Sequence, residues 1–244
     1  MLVTAIIPVS SDLSEHRVRL AEFTARLLAD TFGNQSVRIV SAGGSKPAGL
    51  VTGCMTHVLR DSWSKPLIMN RAAQLCRSEW LLFVDADMIM NWDTVKRELV
   101  ANPPDEVCKP FGQLYRLTRR STERILASGD PSSRQVDREP ASGVLGGGVL
   151  LVRREFYLLM RGMNEAYSEG FEDSEFNMRV TKIIRPDQWG FPAWHMWHIR
   201  EDRLAAKWLT RLSGERKHNT LEQLIQSMTS CIAPAESEGD PSEA

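Results

Sequence analysis

Five apolar residues in a row, Trp80-Leu81-Leu82-Phe83-Val84, run straight into Asp85-Ala86-Asp87. An unbroken apolar run of that length suits a strand covered on both faces of a largely parallel sheet. The two carboxylates stand where the strand runs out. Alternation along the chain directs Asp85 and Asp87 to one side, with the small Ala86 between them. In open α/β sheets, ligands bind beyond the carboxyl ends of the strands. Two like charges at such a rim repel unless a cation or a ring of donors sits there. A hard divalent cation carrying phosphate oxygens is the natural occupant.

The rest of the chain suits a domain built around such a strand. Its 244 residues are enough for one sizeable core. A 42% apolar and 25% charged composition is that of an ordinary soluble globular protein. The formal net charge of -1 gives no signal for nucleic acid or an anionic membrane, so no stable nucleic-acid binding is expected. No apolar stretch reaches the ~20 residues of a transmembrane helix. Residues 1–10 read as a short apolar strand without a basic leader, not as a signal peptide. Cys54, Cys76, Cys108 and Cys231 are far apart with no C-x-x-C pair, and read as reduced thiols. The expected location is cytoplasmic, free or peripheral at the inner membrane face.

Punctuation along the chain gives the order of elements. A first strand is predicted over 4–9, then a helix opened by Asp12 with Glu15 and carried by Val18, Ala21, Ala25, Leu28 and Phe32. Gly33-Asn34 closes it, and a second strand follows over 37–40. This opening implies a parallel, right-handed crossover. A short strand is predicted near 56–59, a helix from Pro66 to about Arg77, and another over 92–101 stopped by Pro103-Pro104. Residues 106–117 read as strand. Residues 118–142 hold five arginines and few large apolar residues, and are expected to form a mobile or irregular excursion. A strand over 149–152, helices near 154–161 and 173–184, and a late strand over 193–199 follow. Two amphipathic helices close the fold, the second with the capping box Thr220/Gln223. The acidic stretch after 230 is expected to be a disordered tail.

Four separated segments carry chemistry. They are Asp85-Ala-Asp87, the triple glycine 146–148, Gly170-Phe-Glu-Asp173 at a helix start, and His195-Met-Trp-His198 at a strand end. Glycines let backbone approach a ligand closely. The acidic pair also reads as a plain helix cap, and His198 also reads as a member of an aromatic cluster. The arginines of 116–138 read either as a phosphate grip or as a solvated basic loop.

Taken in order, Ile6-Ile-Pro-Val9, Asn70-Arg-Ala-Ala73, Leu82–Asp87, Gly146–Gly148, Gly170–Asp173 and His195–His198 resemble the GT-A glycosyltransferases, family-2-like, of galactosyltransferase and N-acetylgalactosaminyltransferase type. The resemblance implies a mixed, mostly parallel α/β sheet flanked by helices, as one GT-A domain over residues 1–230 with a tail at 231–244. It implies a metal-dependent, inverting transfer from a nucleotide diphosphate sugar, a UDP-sugar first, to an acceptor hydroxyl. Pro8, Val9, Asn70, Arg71, Asp85, Gly147 and Gly148 are then expected to hold the donor. Asp87 and His198, with Asp85 and His195 as further candidates, are expected to bind Mn2+ or Mg2+. Asp173 stands where the general base does, with Glu172 beside it for donor or acceptor hydroxyls. The acceptor is open among glycan, lipid-linked, protein and small-molecule classes. Some features depart from the pattern: Ser41 and the Gly-Gly after it stand where an acidic residue ends the second strand, Arg71 replaces a small residue, and the triple glycine and Phe171 vary the usual glycine and tryptophan arrangement. The rival readings are a non-catalytic nucleotide-sugar or glycan-binding module and a sugar nucleotidyltransferase. The last needs a glycine-rich phosphate loop after the first strand, where Ser10-Ser-Asp-Leu-Ser14 stands instead.

Overall fold

The computed structural model describes residues 2–50, 53–130, 139–141, 147–167, 170–199 and 220–233. The chain runs β1 (Val3–Ser10), α1 (Glu15–Phe32), β2 (Val37–Ala42), β3 (Met55–Val58), α2 (Lys65–Leu75), β4 (Trp80–Val84), β5 (Met88–Ile89) and α3 (Trp92–Ala101). It continues through β6 (Val107–Lys109), β7 (Gln113–Arg116), α4 (Arg119–Ser128), β8 (Glu139–Ala141), β9 (Val149–Arg153) and α5 (Arg154–Leu159). Then come α6 (Glu172–Val180), β10 (Asp187–Gln188), β11 (Pro192–His195) and α7 (Leu221–Ser227).

Seven strands form the main sheet in the order β10-β6-β9-β4-β1-β2-β3. β1 pairs parallel with β2 and β4, and β2 with β3. β9 is inserted antiparallel between β4 and β6. Alternation sorts the side chains to two faces. Ala5, Ile7, Val9, Leu82 and Val84 pack with Val18, Ala21, Ala25 and Leu28 of α1. Ile6, Leu81 and Phe83 pack on the other face with Ile68 and Met69 of α2, Phe156 of α5 and Phe176 of α6. Burial on both faces explains the unbroken apolar run of β4. A second sheet, β5-β11-β7-β8, stands beside the carboxyl end of β4.

The structure differs from the sequence reading in five places. α1 is capped by Ser14, whose hydroxyl accepts from Arg17 N at 3.4 Å. Asp12 is held back in the preceding turn by the Ser10 hydroxyl. Within the expected excursion 118–142, residues 119–128 form the helix α4. Thr118 caps it and Gly129 closes it in the left-handed region, with Thr122 and Ile125 buried. Residues 139–141 pair with β7, while 131–138 and 142–146 lie outside the described residues. Residues 106–117 form two short strands in different sheets, because Pro110 to Gly112 turn the chain between them. The late strand stops at His195, where Met196 N donates to Asp87 O at 2.8 Å instead of to a ladder. Of the expected tail, residues 231–233 pack on the fold, with Ile232 buried and Cys231 N donating to Glu165 Oε1 at 2.8 Å. Residues 234–244 and the first of the two closing helices lie outside the described residues. Among the described residues, no helix is long and apolar enough to cross a membrane.

Candidate active site

The turn after β4 is held from three sides. Asp85 N donates to Gly148 O at 2.8 Å, Thr24 of α1 donates its hydroxyl to Ala86 O at 2.9 Å, and Asp87 O accepts from Met196 N. A Cβ on Gly148, at φ +86, would meet the sulfur of Met88 at 3.0 Å. Close backbone approach at this position therefore requires glycine. Gly147 precedes it in the described chain, and Gly146 lies outside it.

The two aspartates then part company. Asp85 continues the Leu81–Phe83 face, which is the face covered by α2. There it meets Lys65 Nζ at 2.6 Å, and the same ammonium lies 3.5 Å from Glu172 Oε1. Burial works against the charge of Lys65, but Asp85, Glu172 and Asp173 outweigh it and hold the ammonium protonated well above its ordinary range. Burial pushes the Asp85 carboxyl up despite the pull of Lys65, and Asp87 and Glu172 add to the push. Lys65 went unnoticed in the sequence. A signal was present: a lysine at the first position of a helix opposes the helix dipole and needs carboxylate partners.

Asp87 faces the second sheet. Its Oδ2 lies 3.0 Å from His198 Nε2, and its Oδ1 3.7 Å from His195 Nε2. Ligand atoms of Asp87, His195 and His198 all fall within 4.8 Å of one another. The strand register puts His195 opposite Met88, one residue past Asp87. Trp197, just before His198, is pinned at both ends of its backbone: its N–H donates to Thr122 Oγ1 at 2.8 Å, and His16 Nε2 lies 2.9 Å from its carbonyl. His198 Nδ1 lies 2.8 Å from Ile199 O, a pure acceptor, so Nδ1 donates and Nε2 is turned toward the carboxylate. Burial works against the Asp87 charge, yet His195, His198 and Arg17 outweigh it and hold the carboxyl well below its usual range. Asp87 is 6% exposed, and its Oδ1 has no hydrogen-bond partner among the described residues. A buried acceptor without a donor, flanked by two imidazoles, fits a divalent cation.

The acidic pair arrives on α6. Phe171 precedes that helix in the left-handed region, at φ 70, a strained conformation for a non-glycine residue. Glu172 is 4% exposed, and its Oε2 is a second buried carboxylate oxygen without a hydrogen-bond partner among the described residues. Asp173 accepts from Ser174 N at 2.7 Å; burial first, then the charge of Glu172, pushes its carboxyl up to about 6. α6 is anchored by the buried pair Arg179–Glu175, with Arg179 also donating to Met160 O and Gly162 O.

Thus Asp85, Asp87, Gly148, Glu172, Asp173, His195 and His198 come together. Asn70 does not join them. It is fully buried, accepts from Tyr157 OH and Met163 N at 2.8 Å, and donates to Met163 O and to Glu165 Oε1 at 2.7 Å. Its hydrogen-bonding capacity is spent fixing the loop that leads to α6. Arg71 lies near the Cys231 thiol, on which its charge acts. Pro8 and Val9 end β1 opposite Val40 and Ser41 of β2, with Val9 in the core. Ser41 is buried and donates to Ser45 O at 3.0 Å.

Solved structures share this arrangement of elements. TarS 1–349 of S. aureus in complex with UDP-GlcNAc superposes with a TM-score of 0.57 at 14% identity, covering 92% of this chain and 70% of that one. Glucosyl-3-phosphoglycerate synthase from Mycobacterium tuberculosis, in complex with Mn2+, UDP-Glc and phosphoglyceric acid, gives 0.53 at 15% identity, covering 92% and 80%. The chain has the GT-A fold. In another TarS 1–349 structure, it spans 60% of that chain's length. No protein-family model matches the chain, and no curated protein does.

Proposed function

We propose that this chain is a metal-dependent glycosyltransferase that moves a sugar, with inversion, from a UDP-sugar to an acceptor hydroxyl. The observation that carries the reading is the pair of buried carboxylate oxygens without a hydrogen-bond partner among the described residues, Asp87 Oδ1 and Glu172 Oε2, near the turn at the carboxyl end of a parallel strand. One asks for a cation, the other for a hydroxyl. Asp87, His198 and His195 would hold Mn2+ or Mg2+, which would supply Lewis-acid stabilisation of the departing diphosphate. The relatives solved with UDP-GlcNAc, and with Mn2+ and UDP-Glc, support that donor class.

The chain's own groups do the rest. Lys65 fixes Asp85 and Glu172 by charge, leaving the second Asp85 oxygen for the ribose. Glu172 Oε2 accepts a sugar or acceptor hydroxyl. Asp173 takes the acceptor proton, and a carboxyl raised to about 6 is well suited to a base near neutrality. A general base of this kind contributes ~100- to 10,000-fold. The motif order resembles that of galactosyl- and N-acetylgalactosaminyltransferases, so UDP-Gal and UDP-GalNAc head the donor panel. A cytoplasmic site of action agrees with four cysteines outside any disulfide.

The test is nucleotide release by the purified protein across UDP-, GDP- and dTDP-sugars, with Mn2+ and with EDTA. Chelator-sensitive UDP release from one donor, lost in Asp87→Asn, is expected. Release indifferent to EDTA overturns the metal role. UDP and Mn2+ binding without turnover for any donor and acceptor gives the site to the binding-module reading.

A further inference from the structure

The segment that carries His198 has no strand ladder to hold it. β11 ends at His195, and the next residues run as irregular chain. Their backbone groups are taken up one at a time by other elements. His195 O accepts from Leu117 N at 2.9 Å, Met196 N donates to Asp87 O at 2.8 Å, and Trp197 N donates to Thr122 Oγ1 of α4 at 2.8 Å. The Met196 side chain is fully buried in a cluster with Leu20, Phe23, Leu117 and Ile125. The last carbonyl before His198 is that of Trp197. It is met by a side chain 181 residues away in sequence, His16 of α1, whose Nε2 lies 2.9 Å from the oxygen. A carbonyl oxygen only accepts, so Nε2 is the donor.

That one contact governs direction. A peptide unit is planar, so the Trp197 oxygen, the His198 nitrogen and the His198 Cα share a plane. With Trp197 N held by Thr122 and Trp197 O held by His16, that plane is not free to turn. The His198 side chain leaves from it, and its Nε2 arrives 3.0 Å from Asp87 Oδ2. Without a donor at the carbonyl, the plane can swing about the Trp197 Cα–C bond, and the imidazole moves with it.

His16 is itself held. Glu123 Oε1 of α4 lies 3.3 Å from its Nδ1, and Arg19 Nη1 lies 3.4 Å from the other oxygen of that carboxylate. The His16 ring meets the Trp197 indole edge-on, with ring centres 5.6 Å apart. A carboxylate that orients an imidazole is a common outer support of metal ligands. Here the support acts on the backbone just before the ligand. The Glu123 side chain is 39% exposed, so solvent screens its share and the hydrogen bond to the carbonyl is the main element.

We propose that His16 is a positioning residue of the metal centre, aiming His198 at the cation by donating to the Trp197 carbonyl. The assignment rests on the metal-dependent reading above.

Calorimetry of the full chain with MnCl2 reads the effect. His16→Phe keeps a ring against Trp197 and removes the donor; His16→Gln gives up the ring and keeps a side-chain N–H. The Phe variant is expected to bind Mn2+ about tenfold weaker than wild type, and the Gln variant to stay within about threefold of it, the low end for outer partners of metal ligands. A harmless Phe beside a weak Gln gives His16 a packing role and overturns the proposal, and so do equal losses in both. A double-mutant cycle separates aiming from a general loosening of the fold. Placed in His198→Ala, His16→Phe is expected to cost nothing more; placed in His195→Ala, it keeps its full cost. An undiminished cost in the His198→Ala background overturns the positioning role. Wild type that takes up no Mn2+ overturns the metal-dependent reading and this assignment together. Wild-type uptake that His16→Phe leaves unchanged removes His16 alone and leaves that reading standing.

Discussion

Asp85 and Asp87 are two residues apart on one turn, yet they belong to opposite kinds of site. Asp85 turns to α2 and finds a resident cation, Lys65, at 2.6 Å. Asp87 turns to the second sheet and finds two imidazoles and a buried oxygen without a donor. One side is neutralised by the chain itself. On the proposed reading, the other is completed by a bound cation. A protein lysine is a permanent cation with fixed reach, whereas an exchangeable cation can be shared with a ligand. The turn thus separates the charge that organises the site from the charge that is brought to it.

The largest expected effect tests the Lys65 side. Asp173→Asn is expected to lower kcat by ~100- to 10,000-fold while leaving UDP–Mn2+ affinity as it was. A parallel loss of metal affinity would merge the two sides. Next in size is Asp87→Asn, expected to weaken Mn2+ binding by about 100-fold or more, since even outer partners of metal ligands are worth 10- to 100-fold. Asp85→Asn should weaken it less than tenfold; equal losses in calorimetry would break the division. Lys65→Met leaves two carboxylates facing each other in a largely buried pocket. It is expected to cost about 1–3 kcal/mol of stability, less than a fully buried pair because Asp85 keeps some exposure. Adding Asp85→Asn to that variant should recover part of the loss in a thermal melt.

The pH dependence sharpens the comparison further. As the proposed base, Asp173 would have to be ionised to act, so activity should rise as pH climbs through about 6. Stability runs the other way. The folded carboxyl is raised above its usual value near 3.9, so the fold favours the proton, and that contribution is present below pH ~4 and lost as pH rises to about 6. Asp173→Asn should therefore melt higher than wild type at pH 7.5 and alike at pH 4. A variant that melts lower at both would show the carboxylate to be structural.

The parts legible in the sequence were those whose signal is local. The runs of β1, β2, β4 and β9 are apolar because both faces of the sheet are covered, and each was visible on its own. Asp85, Asp87, Glu172, Asp173 and the two histidines were legible because they lie at element ends in a recognisable order. Lys65 was not, because its role depends on a contact across twenty residues that leaves only a misplaced charge behind. Asn70 shows the converse. It belongs to a recognisable segment, but its bonds go inward to Tyr157, Met163 and Glu165, which sequence order does not reveal. α4 hid among arginines because Thr122 and Ser121 share its buried face with Ile125, and hydroxyl residues carry little hydrophobic period.

The antiparallel insertion of β9 between β4 and β6 has a consequence for synthesis. β1, β2, β3 and β4 are all made by residue 84, and they can pair parallel at once. The inner partner of β4 begins only at residue 149. At translation rates of about 5–20 residues per second, the apolar stretch Trp80–Val84 waits about 3–13 s as an open sheet edge. For that interval the nascent chain carries an apolar strand edge uncovered, and a chain halted before residue 149 should need a chaperone to stay in solution.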